Sequence, residues 1–184
     1  SPFTSFESGF FHIQADSSQA LGYTILMVDQ HFPVISQSKQ MLEPLRYLTT
    51  NKEYEIIASV EGDSLKQRID EFWLDIGQEP ERTRQLLRTF YGRMERANEL
   101  FTSTTPGYRT DRGMVYLIFG PPNILYRSGK GETWVYGKES SALYYAFNFS
   151  KVKSPFTNNE YALNRSSHFR SSWGQAVDYW RQGR

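Results

Sequence analysis

Apolar side chains fall at strand spacing near the start of the chain, at helical spacing through its middle, and in strand-like runs beyond. Gly9-Phe10-Phe11-His12-Ile13-Gln14 and Leu21-Gly22-Tyr23-Thr24-Ile25-Leu26-Met27-Val28 flank the turn residues Asp16-Ser17-Ser18, the pattern of a hairpin. His31 to Gln40 reads as a loop around Pro33. Met41, Leu42, Leu45 and Leu48 share one helix face, with Pro44 near its start. Thr50-Asn51-Lys52-Glu53 spells a capping box ahead of a short helix carrying Tyr54, Ile57 and Ala58. Ser64-Leu65-Lys66-Gln67 predicts the start of another, with Leu65, Ile69, Phe72, Trp73 and Ile76 on one face and Gly77 as a left-handed cap. Pro80 suits the first turn of a longer helix, in which Leu86, Leu87, Phe90, Met94, Ala97 and Phe101 recur at three- and four-residue steps. The opposite face, with Arg82, Arg84, Arg88, Arg93 and Arg96, reads as solvated.

Past the polar loop Thr102 to Gly107 the pattern changes. Met114-Val115-Tyr116-Leu117-Ile118-Phe119 is a nearly continuous apolar run, predicted here as a central strand and stopped by Gly120-Pro121-Pro122-Asn123. Gly129-Lys130-Gly131 is a turn. Thr133 to Tyr136 and Ala142 to Phe149 flank Gly137-Lys138-Glu139-Ser140 as a hairpin, and Glu160 to Asn164 predicts a further strand. Ser172 to Arg181 reads as a short helix that docks Trp173, Val177 and Trp180 on the core. Helices followed by a strand meander predict an α+β fold: a helical block packed on an antiparallel β-sheet, with an N-terminal β-hairpin and a C-terminal helix. Residues 1–35 form the hairpin unit and residues 36–184 the α+β domain.

Composition narrows the function classes. The 184 residues carry 21 basic and 20 acidic side chains, so neither nucleic acid nor an anionic surface is the expected partner. Charge is uneven along the chain: residues 1–92 are net −5 and residues 93–184 net +6, two halves that attract within one fold. With no cysteine there is no disulfide framework, thiolate metal site or thiol nucleophile. No apolar run approaches a membrane span, and the candidate Tyr23 to Val28 is only strand-sized. The chain opens Ser1-Pro2-Phe3, without a basic start or apolar run, the look of a processed protein or a fragment.

One segment is distinctive. Pro106-Gly107-Tyr108-Arg109-Thr110-Asp111-Arg112-Gly113 runs into the apolar stretch and then Gly120-Pro121-Pro122-Asn123. It resembles the GWxTD domain family, named for Gly-Trp-x-Thr-Asp and normally continued by Arg-Gly and Gly-Pro-Pro-Asp. Tyr108 stands at the Trp place and Asn123 at the last Asp. Phe72-Trp73, Ala97-Asn98 and Glu132-Thr133-Trp134-Val135-Tyr136 also resemble the family, so the similarity runs from about Met41 to the end. The resemblance implies a Bacteroidetes-type bacterial protein and a compartment that is exported, periplasmic or at the cell surface. It implies partners among other domains of the parent chain or envelope proteins, and a hairpin that edges a preceding β-rich domain. It carries no established reaction.

Read as residues, the motif is first a structural corner. Gly107 and Gly113 permit tight backbone, Thr110 and Asp111 satisfy turn amides, Arg112 pairs with Asp111 or with an acid on the helices, and Pro121-Pro122 stiffen the exit. The rival reading is a pocket at one sheet end. There Tyr108, Trp134 and Tyr136 would cover the apolar faces of a glycan or peptide, and Asp111 and Arg112 would take its hydrogen bonds. An enzyme would need a positioned base or nucleophile. Asp70, Asp75 and Asp111 are the candidate carboxylates, and nothing in the sequence gathers them. His12, His31 and His168 lack metal-ligand spacing, and Gly129-Lys130-Gly131 lacks that of a phosphate loop, so no metal or cofactor is expected. The sequence thus favours a non-catalytic binding or assembly module of a larger cell-envelope protein, with a glycan- or peptide-processing enzyme using Asp111 as the alternative.

Overall fold

The computed structural model describes residues 9–18, 22–28, 30–138 and 144–184. Strands β1 (Gly9–Ile13) and β2 (Tyr23–Met27) pair antiparallel, Gly9 opposite Met27 and Ile13 opposite Tyr23. The Ser18 amide donates to Asp16 Oδ1 at 2.9 Å and shapes the expected turn. Helix α1 (Ser38–Leu42) starts inside the segment read as a loop. It passes into a 3₁₀ turn over Glu43–Tyr47, where Pro44 has no N–H to continue an α-helical ladder. One helix through Leu48 was expected; Pro44 divides it.

Helix α2 (Asn51–Ala58) begins with the capping box the sequence spells: the Glu53 amide donates to Thr50 Oγ1 at 3.3 Å and the Thr50 amide to Glu53 Oε2 at 2.8 Å. Helix α3 (Gly62–Gly77) starts ahead of its predicted signal, so Ser64 lies inside the first turn and Glu61 is the extended residue before it. The left-handed residue at its end is Gln78, with φ 59°, and Gly77 stays helical. Helix α4 (Pro80–Phe101) follows, then a 3₁₀ turn over Gly107–Arg109.

The largest correction comes next. Met114 to Phe119 is no strand but the body of helix α5 (Asp111–Phe119). None of its nine residues is exposed, so it has no polar face to reveal a helical period. The sheet follows: β3 (Ile124–Ser128), β4 (Gly131–Tyr136), β5 (Tyr145–Lys151) and β6 (Tyr161–Leu163), in that spatial order and antiparallel throughout. Sequence reading passed over β3. Leu21, Ala142, Leu143 and the turn residues Glu139-Ser140 lie outside the described residues. Helix α6 (Ser167–Arg181) starts a turn before the predicted Ser172. Among the described residues no helix is long and apolar enough to cross a membrane.

Helices and sheet share one core. Phe90 meets Trp73 at 5.1 Å and Trp180 at 5.4 Å between ring centroids, which joins α3, α4 and α6. On the sheet side Phe119 meets Phe147 at 4.8 Å, and Trp134 meets Phe149 at 4.9 Å and Phe101 at 5.3 Å. Val115 and Leu117 of α5 are fully buried between these clusters. Such tilted and edge-on pairs add about 0.5–1.5 kcal/mol each beyond the area they bury.

One clamp ties the chain end to the capping box. Arg181 Nη2 lies 2.6 Å from Glu53 Oε1, and its Nη1 donates to Glu53 Oε2 at 3.0 Å and to the Leu48 carbonyl at 2.9 Å. The Arg181 hydrogen bond is the main force holding the Glu53 carboxyl down to about 2; partial burial opposes it and the Thr50 amide and hydroxyl assist. A carboxyl with its folded pKa below the unfolded value of about 4.3 adds stability that is present above that value and lost as pH falls toward 2. Urea denaturation of the wild type should therefore show a falling midpoint across that window. Glu53→Gln should be less stable at pH 7 by about 1 kcal/mol, a small value because the pair is partly solvated, with the gap closing by pH 2. A gap that stays constant with pH would refute the assignment.

Candidate functional site

The distinctive segment sits where α4, the Gly107–Arg109 turn and the start of α5 cross. A Cβ on Gly113 would lie 1.7 Å from the Gly107 carbonyl oxygen, and one on Gly107 would lie 2.0 Å from that of Ala97. Three backbone segments therefore touch with no room for a side chain between them. Asn98 Oδ1 accepts from the Tyr108 amide at 3.2 Å, and Thr102 Oγ1 from the Gly107 amide at 3.1 Å. Thr110 is the extended residue that caps α5. Its hydroxyl accepts from the Gly113 amide at 3.1 Å and donates to the Gly107 carbonyl at 2.7 Å.

The Tyr108 ring is buried and its hydroxyl reaches a charged pair. It donates to Glu43 and accepts from Arg109 Nε at 3.0 Å, while Arg109 Nη2 also holds Glu43. Burial alone would raise the Glu43 carboxyl pKa; the Tyr108 hydroxyl and the Arg109 guanidinium outweigh it and hold it below the usual range. Burial, then the bond to Glu43, pushes the Tyr108 hydroxyl up, so it stays a neutral donor.

Asp111 and Arg112 hold the sheet. Asp111 Oδ2 accepts the Leu163 amide at 2.7 Å and Oδ1 accepts Arg165 Nη2 at 2.9 Å, so the carboxylate ties β6 to the start of α5. It also sits in the first turn, where a negative charge opposes the helix dipole. Arg112 is buried. Its Nη1 lies 3.4 Å from Glu132 Oε1, its Nη2 donates to the Asn159 carbonyl at 3.0 Å and to the Asn159 side chain, and its guanidinium lies 3.8 Å from the Tyr161 ring centre. Burial lowers its pKa, Glu132 and Tyr161 oppose that, and nearby Arg127 adds to the lowering. Glu132 is shared: Arg127 Nε lies 3.3 Å from Oε1 and Trp134 Nε1 donates to Oε2 at 2.9 Å.

The other expected site residues belong to the far end of α5, roughly 13 Å away at about 1.5 Å per residue. Tyr136 donates its hydroxyl to the Gly120 carbonyl at 2.8 Å. Asn123 Oδ1 accepts the Gly137 amide at 2.7 Å. Pro121 is exposed and Pro122 half-buried in the link to β3. The helix thus holds Tyr108 and Asp111 away from the Gly120 turn and Tyr136, whereas Arg112, Pro122 and Trp134 do meet along one recess of about 430 Å³. Arg93, read as solvated, caps that helix instead. Its Nη1 donates to the carbonyls of Ile118 at 3.0 Å and Leu117 at 3.3 Å, beside Trp180 Nε1, which donates to Ile118 at 2.9 Å.

The remaining candidates lie apart from this joint. Asp70 pairs with Lys66 at 2.5 Å on the exposed side of α3, where Asp75 is also exposed. His12 contacts Thr24 Oγ1 at 2.9 Å and His31 contacts Gln30 at 3.1 Å; the His168 side chain lies outside the described residues. Among the described residues no three His, Asp or Glu side chains gather as a metal site. A cleft of about 500 Å³ opens beside Tyr108, walled by Phe10, Leu26, Phe32, Pro33 and Met94. Ser103 lines it, buried, with a hydroxyl that has no hydrogen-bond partner.

The GWxTD domain model matches residues 9–182, a span that includes both hairpin strands. The chain belongs to the GWxTD domain family. No curated protein and no solved structure matches it. In this GWxTD domain the signature reads Gly107-Tyr108-Arg109-Thr110-Asp111. Tyrosine at the named tryptophan gives Arg109 an acceptor that an indole, a donor only, lacks. Sequence reading missed Glu43, Asn159 and Arg165 as partners of the signature. Their separations of up to 65 residues leave no local pattern.

Two consequences can be measured by urea denaturation of the GWxTD domain. Gly113→Ala should cost about 1–3 kcal/mol or more, because the new methyl meets backbone. Gly92→Ala, exposed in α4 with open space around it, should add about 0.5–1 kcal/mol. Arg112→Met strands the buried Glu132 carboxylate with only exposed Arg127 as a counter-charge and should cost about 3–5 kcal/mol. Equal effects of the two glycine changes would refute the backbone crossing, and a neutral Arg112→Met would refute the buried pair.

Proposed function

We propose that this GWxTD domain is a non-catalytic binding or assembly module of a larger bacterial cell-envelope protein. The observation that carries the reading is the state of Asp111. Both carboxylate oxygens are engaged, one by the Leu163 amide and one by Arg165. These two bonds to the fold itself take half of the carboxylate's roughly four acceptor sites and orient it as a strut between α5 and β6. Arg112, the next charged group, is spent on Glu132 and Asn159. Binding is supported by what the joint leaves open: the apolar cleft beside Tyr108, with its unpaired Ser103 hydroxyl, and the uncovered β3 side of the sheet. The expected partners are other domains of the parent chain or envelope proteins, with glycan or peptide as the ligand class. The exported, periplasmic or surface compartment rests on family resemblance.

Asp111→Asn separates this reading from an enzyme. The amide keeps an acceptor for Leu163 and loses the ion pair with Arg165, so stability should fall by about 1 kcal/mol, or about 2–4 °C in melting temperature. Incubation of the wild type with envelope glycans and peptides should give no turnover. Turnover that disappears in Asp111→Asn while the melting temperature holds would overturn the proposal.

A further inference from the structure

Strand β3 ends the sheet order, with β4 on one side and no described strand on the other. Alternate N–H and C=O groups along its outer side therefore face away from any ladder. All five of its residues are exposed, and three are large and apolar: Ile124 at 47%, Leu125 at 38% and Tyr126 at 60%. The strand has neither Pro nor Lys, the residues that usually blunt an open edge.

The edge also borders a cavity. Leu125 and Arg127 lie on the face of β3 opposite Trp134 and Glu132 of β4, two residues apart on one side of the sheet. That side is the one covered by helices, but at β3 the cover ends. A recess of about 430 Å³ remains, bounded by Leu125, Arg127, Tyr116, Phe101 and Trp134. Its charged lining residues are Arg112, Arg127 and one acid, Glu132, which both arginines share. Glu132 gives its second oxygen to Trp134. Arg127 is 73% exposed at the side chain, and its contact with Glu132 runs through Nε. The recess therefore has an apolar part beside Leu125 and a surplus positive charge at Arg127.

We propose that β3 takes up an extended peptide segment as a fifth strand, with an apolar side chain beside Leu125 and a carboxylate two residues away beside Arg127. Strand pairing supplies backbone hydrogen bonds to the open edge, and the alternate side chains read the recess. The spacing follows from the sheet: side chains two residues apart share a face and stand opposite their counterparts at about 4.5–5.5 Å. The proposal rests on the binding reading given above and names its partner class.

The probe is a fluorescein-labelled peptide, Gly-Thr-Val-Thr-Leu-Thr-Glu-Thr-Gly, titrated into the whole chain by fluorescence anisotropy. The binding site is mapped by backbone amide shifts in NMR. Saturable binding below about 1 mM, with shifts along β3 and the recess, is the expected result. Replacing Glu in the peptide by Lys should weaken binding about 10-fold, and Arg127→Gln should bring the two peptides to within about 2-fold of each other. N-methylation of two successive central residues, one of which must face β3 in either register, should abolish binding. No saturation, a methylated peptide that binds equally, or indifference to Arg127→Gln would overturn the proposal. Shifts confined to the cleft beside Tyr108 would overturn edge pairing and leave the binding-module reading standing. Cleavage of the probe, read by mass spectrometry, would overturn the non-catalytic reading and leave edge pairing standing.

Discussion

A nine-residue helix with no exposed residue must find partners inside the protein for the backbone groups that its ends leave open. Helix α5 is that helix, and the rest of the fold is arranged around its ends. Thr110 closes the first turn, with Asp111 beside it. At the other end Arg93 and Trp180 donate to Leu117 and Ile118, and Tyr136 donates to the Gly120 carbonyl. Those donors come from α4, α6 and β4, so satisfying one short helix fixes three other elements. A free helix of this length is marginal in water, and here packing and the borrowed donors hold it. The family signature is the sequence of that helix's two ends.

The buried Arg112–Glu132 pair fits the same logic. Removing two charges from water costs several kcal/mol each, and their attraction at 3.4 Å does not clearly exceed that cost. Its geometry specifies position. Arg112 reaches β4 through Glu132, the loop before β6 through Asn159, and β6 itself through the Tyr161 ring. An apolar side chain at that place would fill the volume and leave all three contacts without direction. Asp111 adds the β6 backbone through Leu163, which sets the last strand against α5. Residues adjacent in sequence thus hold different strands, because they leave the first turn of a helix in different directions.

Fold class, the α4 face, the Thr50 capping box and the hairpins were legible because each is written in local spacing or turn residues. Helix α5 was not, because none of its residues is exposed. With every position apolar, Met114 to Phe119 shows no period, and its β-branched residues favour a strand. A legible clue did exist: Thr110-Asp111 is a helix start and Gly120 a helix stop, and weighing those ends above the apolar middle gives the right element. Arg93 was misread for a similar reason. It occupies an arginine-rich face, and only the position of α5 shows that it points at carbonyls. Of the candidate site, Tyr108, Thr110, Asp111 and Arg112 could be named from sequence, but their partners at Glu43, Asn159 and Arg165 lie 47 to 65 residues away and needed the fold.

A joint that consumes its own polar groups leaves recognition to what lies around it. The most recognisable residues of this chain are engaged on both sides of the helix they cap, and a ligand competing for them would have to break the fold. What stays unpaired is of another kind: an apolar cleft with one hydroxyl, and a sheet edge with exposed Ile124, Leu125 and Tyr126. Both are suited to extended or apolar partners, and neither needs a reacting group. A rigid corner carrying open edges fits the binding or assembly role proposed for this domain, and the chemistry of the signature is the means by which the corner stays rigid.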